Sequence, residues 1–109
     1  RWIGGRLTPA GALHVDAGAA AALLRGASLL PAGVTRIEGD FSKGDAVSII
    51  GPDKALLGQG LSAYDANEAR LILGRKSDDI EEILGYRRRP AMIDRNDLAL
   101  TGKSKSEDA

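Results

Sequence analysis

Apolar and polar positions alternate in short runs along this chain, and the runs are cut by glycine every few residues. Gly11-Ala12-Leu13-His14-Val15 alternates at period two and predicts a strand. The next eight positions are alanine, glycine and leucine, and the reading changes to a helix from Ala17 to Arg25. Asp16 is its N-cap, with a carboxylate able to accept from the free amides of the first turn. Gly26 ends the helix in the left-handed position. Leu29 and Leu30 open a second strand that Val34 to Ile37 continue after the Pro31-Ala32-Gly33 break. Gly44-Asp45 is a turn into a strand over Ala46 to Ile50, and Gly51-Pro52-Asp53 is the next turn. Leu56 to Ala63 returns from it. In that strand Gly58 and Gly60 are two apart, so both lack a side chain on one face. Their absence lets the sheet bend or lets another backbone or a ligand come close, and barrel curvature is the favoured reading.

Helical signals then take over. Asp65-Ala66-Asn67-Glu68 has the spacing of a capping box for a helix to about Leu73, stopped by Gly74. Ser77 is expected to cap a further helix. Asp78, Asp79, Glu81 and Glu82 lie near its positive end, Ile80, Ile83 and Leu84 form its stripe, and Gly85 stops it. Met92 to Leu100 supplies a last strand. The segment TGKSKSEDA at 101–109 holds no apolar anchor and reads as a disordered tail. The sum is a mainly β domain over 1–100, a small barrel with short helices at its ends.

Composition narrows the function classes. The chain has 109 residues, enough for one modest core. Fifteen basic and fifteen acidic side chains give no net charge, which argues against non-specific attraction of the whole molecule to nucleic acid or membrane. No cysteine is present, so disulfides and thiolate metal sites are excluded, and a cytoplasmic location is the expectation. No apolar run approaches the roughly 20 residues that span a bilayer. Without an initiator methionine, the chain reads as a piece of a longer one.

Candidate chemistry is sparse. His14 is the only histidine, so neither a Ser-His-Asp nor a Cys-His arrangement can be assembled. The carboxylates at 78–82 fit first-turn helix electrostatics better than a paired acid–base site, and no metal ligand set stands out. Gly4-Gly5 and Gly58-Gln59-Gly60 lack the lysine and hydroxyl of a phosphate-binding loop. A candidate RNA or partner surface remains: Arg25, Gly26 and Ser28 after the first helix, Lys43 in the Gly-Asp turn, and the run Arg87-Arg88-Arg89. Glycine permits a close approach of backbone, and serine can donate to phosphate or sugar. Aromatic residues are only 4% (Trp2, Phe41, Tyr64 and Tyr86), and their spacing suggests core plugs more than a stacking platform.

Several stretches carry a resemblance. "RWIGG" at 1–5, "VDAGAAAALLRGASLLPAGV" at 15–34, "EGDFSKGD" at 38–45, "GQGLSAYDANEARLILGRKS" at 58–77 and "LGY" at 84–86 resemble the C-terminal PUA domain of bacterial glutamate 5-kinases. The 15–34 stretch is similar to PUA domains in general, whereas the Arg1-Trp2-Ile3 start and Leu84-Gly85-Tyr86 point to the kinase version. Where that family commonly has a His-Arg-Asp-type run, this chain reads Asp94-Arg95-Asn96-Asp97, so no role of that histidine carries over.

The resemblance implies a PUA-type pseudo-barrel of about five to six strands, a fold whose members often bind RNA. It also implies a parent enzyme that phosphorylates the γ-carboxylate of glutamate, the first step of proline biosynthesis. ATP and magnesium would be held by a separate N-terminal amino-acid-kinase domain. This segment would then be an accessory module with no cofactor of its own, partnered by the kinase domain in a homo-oligomeric parent. The alternative is an RNA-binding module.

Overall fold

The computed structural model describes residues 9–85 and 91–100. The lead-in with Trp2, the segment with Tyr86 and the arginine run, and the tail at 101–109 lie outside the described residues.

Five strands, β1 (Gly11–Val15), β2 (Val34–Gly39), β3 (Ala46–Ile50), β4 (Leu56–Leu61) and β5 (Leu98–Leu100), form one sheet in the order β2-β1-β3-β4-β5. β1 runs antiparallel to β2 and parallel to β3, and the β3–β4 and β4–β5 pairs are antiparallel. The strand leading to β5 and the strand leading to β2 meet at one antiparallel bridge, Leu29 with Ile93. That bridge brings the two edges of the sheet together and makes the pseudo-barrel. Three helices complete the chain: α1 (Ala17–Leu24), α2 (Ala66–Ile72) and α3 (Ser77–Leu84). The fold is mainly β with short helices, as expected.

Alternation decides what faces inward. Leu13 and Val15 of β1 and Val47 and Ile49 of β3 are buried, and Leu23 of α1, Phe41, Tyr64, Ile72 and Ile93 fill the same core. Two of the three expected N-caps are formed. The Asp16 carboxylate accepts from the Ala19 amide at 2.8 Å. Asp65 and Glu68 make the reciprocal capping box, each side chain accepting from the other's amide, at 2.8 and 3.0 Å. Replacing Asp65 with alanine leaves the Glu68 amide at the start of α2 without its acceptor. The expected cost is about 1 kcal/mol, read as a lowered urea midpoint at unchanged slope. An unchanged midpoint would remove this cap from the account.

α1 ends at Leu24 rather than Arg25 and β2 runs on to Gly39. Four further boundaries differ from the sequence reading, each for a local reason. α3 begins at Ser77 with Lys76 in the N-cap position, so Ser77 is its first helical residue rather than its cap. Leu29 pairs for a single residue before Pro31 starts a 3-10 turn, so no continuous strand runs through Leu30. β4 stops at Leu61 because the Ser62 hydroxyl donates to the Tyr64 carbonyl at 2.6 Å and folds the chain back. The last strand is only three residues long. The Asp94 carboxylate accepts from the Asn96 amide at 3.0 Å, which coils 95–97 into a 3-10 turn.

Gly58 and Gly60 resolve toward close contact as well as curvature. A β-carbon on Gly58 would lie 2.8 Å from the Leu100 Cα, so β5 crosses directly over the vacant face. One on Gly60 would meet the Ile93 and Leu98 side chains.

Candidate functional site

The Gly26 loop is built from the end of α1. Arg25 is the C-cap, and Gly26 takes the left-handed conformation at φ +93 that other residues avoid. Nothing lies within 4 Å of a β-carbon placed there, so its glycine serves the turn and no crowded neighbour. The Ala27 amide donates back to Ala22, and the Leu29 amide to Ile93. Between them the half-buried Ser28 presents its Oγ, which accepts from the Arg95 amide at 2.8 Å. A hydroxyl that accepts through oxygen still carries a proton to donate. Arg25 and Arg95 are both exposed. Arg95 thus joins the candidate set. It is 67 residues from Ser28, and only the departure at 94–97 drew attention to that segment.

Lys43 sits on a different turn. The Ser42 amide donates to the Asp45 carboxylate, and the Gly44 amide to the Ser62 carbonyl. A ladder of backbone bonds leads from there to the Gly26 loop: Ala63 donates to Met92, and Met92 to Leu29. Three strand spacings separate Gly44 from Leu29, roughly 14 Å along the barrel wall. Lys43 and Arg25 therefore stand on different turns, each with a carboxylate close by in the chain or the fold: Asp45 beside Lys43, and Asp94 next to the Arg95 that bonds Ser28. Arg87, Arg88 and Arg89 lie outside the described residues.

Two aromatics fall in the described part, and both are in the core. Phe41 is 2% exposed and Tyr64 is fully buried. Neither presents a ring face for stacking on a base.

His14 stands on the outer face of β1. Its Nε2 lies 2.7 Å from Glu38 Oε2, and Arg36 approaches the same carboxylate at 3.6 Å. This cross-strand cluster explains why a histidine sits in the strand. Among the described residues, no three His, Asp or Glu side chains come together in a way that could hold a metal ion. Asp78 and Asp79 occupy the first turn of α3, where they complement the helix dipole. Among the described residues, no helix is long and apolar enough to cross a membrane.

A second surface was not singled out from the sequence. An open groove of about 580 Å³ runs between α1 and the β3–β4 hairpin, lined by Ala21 and Leu24 on one side and Pro52, Ala55 and Leu57 on the other. Leu24 is 59% exposed and the neighbouring hairpin residue Leu56 is 51% exposed. The sequence held the signal, because α1 contains no polar side chain.

The PUA domain family matches residues 11–84. The chain is 58% identical over 101 residues to a glutamate 5-kinase of Agrobacterium fabrum, covering 93% of this chain and 26% of that protein. A glutamate 5-kinase of Brucella anthropi is 57% identical over 106 residues, with 97% and 28% covered. The chain therefore spans about a quarter of the length of these relatives. Among solved structures it is similar to a PUA domain from Aeropyrum pernix K1, crystallised as a tartrate complex. That match has a TM-score of 0.57 and 28% identity, and covers 77% of this chain and 41% of the other.

Proposed function

This chain belongs to the PUA domain family, and on that premise we propose that it is the non-catalytic accessory domain of a glutamate 5-kinase. The observation that carries this reading is the 58% identity across 93% of the chain to a far longer kinase. The reaction proposed for the parent is the ATP-dependent phosphorylation of the glutamate γ-carboxylate, which opens proline biosynthesis. ATP and magnesium belong to the amino-acid-kinase part, expected on the N-terminal side, in a cytoplasmic homo-oligomer. This domain acts on that part through contacts, assembly or feedback sensitivity.

Surface chemistry supports a protein-facing role over a nucleic-acid one. Phe41 and Tyr64 are spent in the core. Arg25 ends α1 while Lys43 lies in a separate turn beside Asp45. Of the exposed leucines, Leu24 ends α1 and Leu56 opens the returning strand of the hairpin, while Leu30 and Leu71 lie elsewhere on the surface.

Deleting the domain from the parent is expected to leave ATP-dependent glutamate phosphorylation measurable. The proline concentration for half-inhibition, or the oligomer size, should shift, the former by about fivefold or more. Activity, inhibition and assembly that all survive deletion unchanged would sink the accessory reading. A tRNA titration of this chain at two salt concentrations tests the alternative. Micromolar binding that collapses with salt would favour RNA, with Arg25, Ser28, Arg95 and Lys43 as the first contacts to replace.

A further inference from the structure

We propose that the groove between α1 and the β3–β4 hairpin is the docking site for the kinase part of the parent protein, an inference that rests on the accessory reading above. The central observation is the character of α1. Its eight residues are alanine, glycine and leucine, yet only Leu23 is buried. Ala17, Gly18, Ala21 and Leu24 face outward. A helix that is apolar all round belongs in an interior. α3 shows the ordinary surface pattern in the same molecule, with Ile80 buried while Asp78, Glu81 and Glu82 are exposed.

The opposite wall is equally apolar and is held in shape. The Gly51 amide donates to Ala55 at 2.9 Å and the Lys54 amide to Gly51 at 3.0 Å. The Asp53 carboxylate accepts from the Ala55 amide at 3.2 Å. Lys54 takes a left-handed backbone at φ +67, a conformation that a tight turn imposes. The groove thus has two fixed walls and carries exposed Leu24 at one edge. The exposed lining of the groove is mainly apolar, the character a docked protein segment would cover.

Charge and chain length select the occupant. Among the described residues lining the groove, Asp53 is the only charged one. The groove lining is otherwise apolar, and exposed Arg25 and Lys54 directly follow its Leu24 and Asp53 in the chain. It suits an apolar protein segment that brings a lysine or arginine to Asp53. The relatives are about four times as long as this chain, so in a parent of that length a partner domain is covalently at hand.

Hydrogen–deuterium exchange on the parent protein and on this 109-residue chain tests the proposal. Amides of α1 and of residues 51–57 should exchange about tenfold more slowly in the parent. Ala21→Arg in the parent should return both segments to the rates of the free chain, and Leu24→Lys should do the same. Asp53→Lys should reduce the protection partially. Both α1 positions are exposed, so the same variants of the free chain should keep their unfolding midpoint.

Equal exchange in parent and free chain would overturn the proposal. So would protection that survives both α1 variants, protection that rises with the concentration of the free chain alone, or protection that appears only with tRNA. Deletion of the domain without effect on activity or inhibition would instead defeat the accessory reading, while a protected groove released by Ala21→Arg would still show docking.

Discussion

Replacing Gly58 with valine is expected to cost about 3 kcal/mol of folding stability, the upper end of the usual overpacking penalty. The first atoms met are backbone. A β-carbon at this position falls on the Ala99 carbonyl oxygen and 2.8 Å from the Leu100 Cα. Backbone cannot rotate away as a side chain does. Either β5 lifts from β4, or β4 shifts within the sheet. β5 is three residues long and pairs only through Gly58–Leu100, Gln59–Ala99 and Gly60–Leu98, so it is the part that yields. Leu100, now 7% exposed, then returns to water.

In a domain of this size the loss lowers the melting temperature by about 12 °C or more. Gly60→Ala should cost less, because it adds a single methyl that meets the side chains of Ile93 and Leu98 rather than backbone. Gly44→Ala separates conformation from crowding. Nothing lies within 4 Å of its β-carbon, but φ is +91, so the cost is about 1 kcal/mol of left-handed strain. Urea unfolding of the four chains gives the ranking. A Gly58→Val midpoint close to that of Gly44→Ala would mean that β5 does not cross where described.

That crossing also shows what a sequence discloses and what it withholds. Gly58 and Gly60 announce a missing face at period two, because alternation is a local property of a strand. What fills the face does not appear there, since Ala99 and Leu100 come some forty positions later. Caps follow the same division. Asp16, and Asp65 with Glu68, act within three residues of themselves, so their roles could be read from spacing. Ser77 looked like a cap on the same grounds, but the helix begins at Ser77 itself and the cap position falls to Lys76. The segment from Met92 to Leu100 reads as one strand in the sequence. The Asp94 carboxylate breaks it by accepting from the Asn96 amide.

The candidate surface divides likewise. Arg25, Gly26 and Ser28 belong to one loop by sequence alone. Their tie to Arg95 accompanies the bridge between Leu29 and Ile93, which joins the two segments among the described residues. No local pattern encodes such a closure. The groove beside α1 was half legible. An unbroken run of alanine and leucine predicts a helix, and it equally states that the helix has no face suited to water. Only the fold shows that the chain itself leaves much of that helix uncovered.

Truncating Phe41 to alanine is expected to cost about 4 kcal/mol, the range for removing a buried aromatic ring. Phe41 is 2% exposed and joins three parts of the fold. A β-carbon on Gly11 would lie 2.7 Å from its ring, so the ring occupies the space left by that glycine at the start of β1. Its carbonyl accepts from the Ala66 amide at 2.9 Å, at the first turn of α2. Next to it, Gly39 accepts from the Arg70 guanidinium at 2.6 Å, which ties α2 to the end of β2. Removing the ring leaves a cavity between β1 and α2 that backbone on both sides keeps from closing.

Phe41→Leu should recover much of the loss, because it returns apolar volume to the same space. Denaturant melts of both variants give the comparison, and tRNA titration of Phe41→Leu gives the functional half. If Phe41 is a core plug, the alanine chain loses stability steeply and the folded leucine chain keeps whatever affinity for tRNA the parent sequence has. If the alanine chain melts within about 1 kcal/mol of the original while RNA binding falls, Phe41 leaves the core to stack on a base. The case against a nucleic-acid surface on this domain would then lose its strongest structural support.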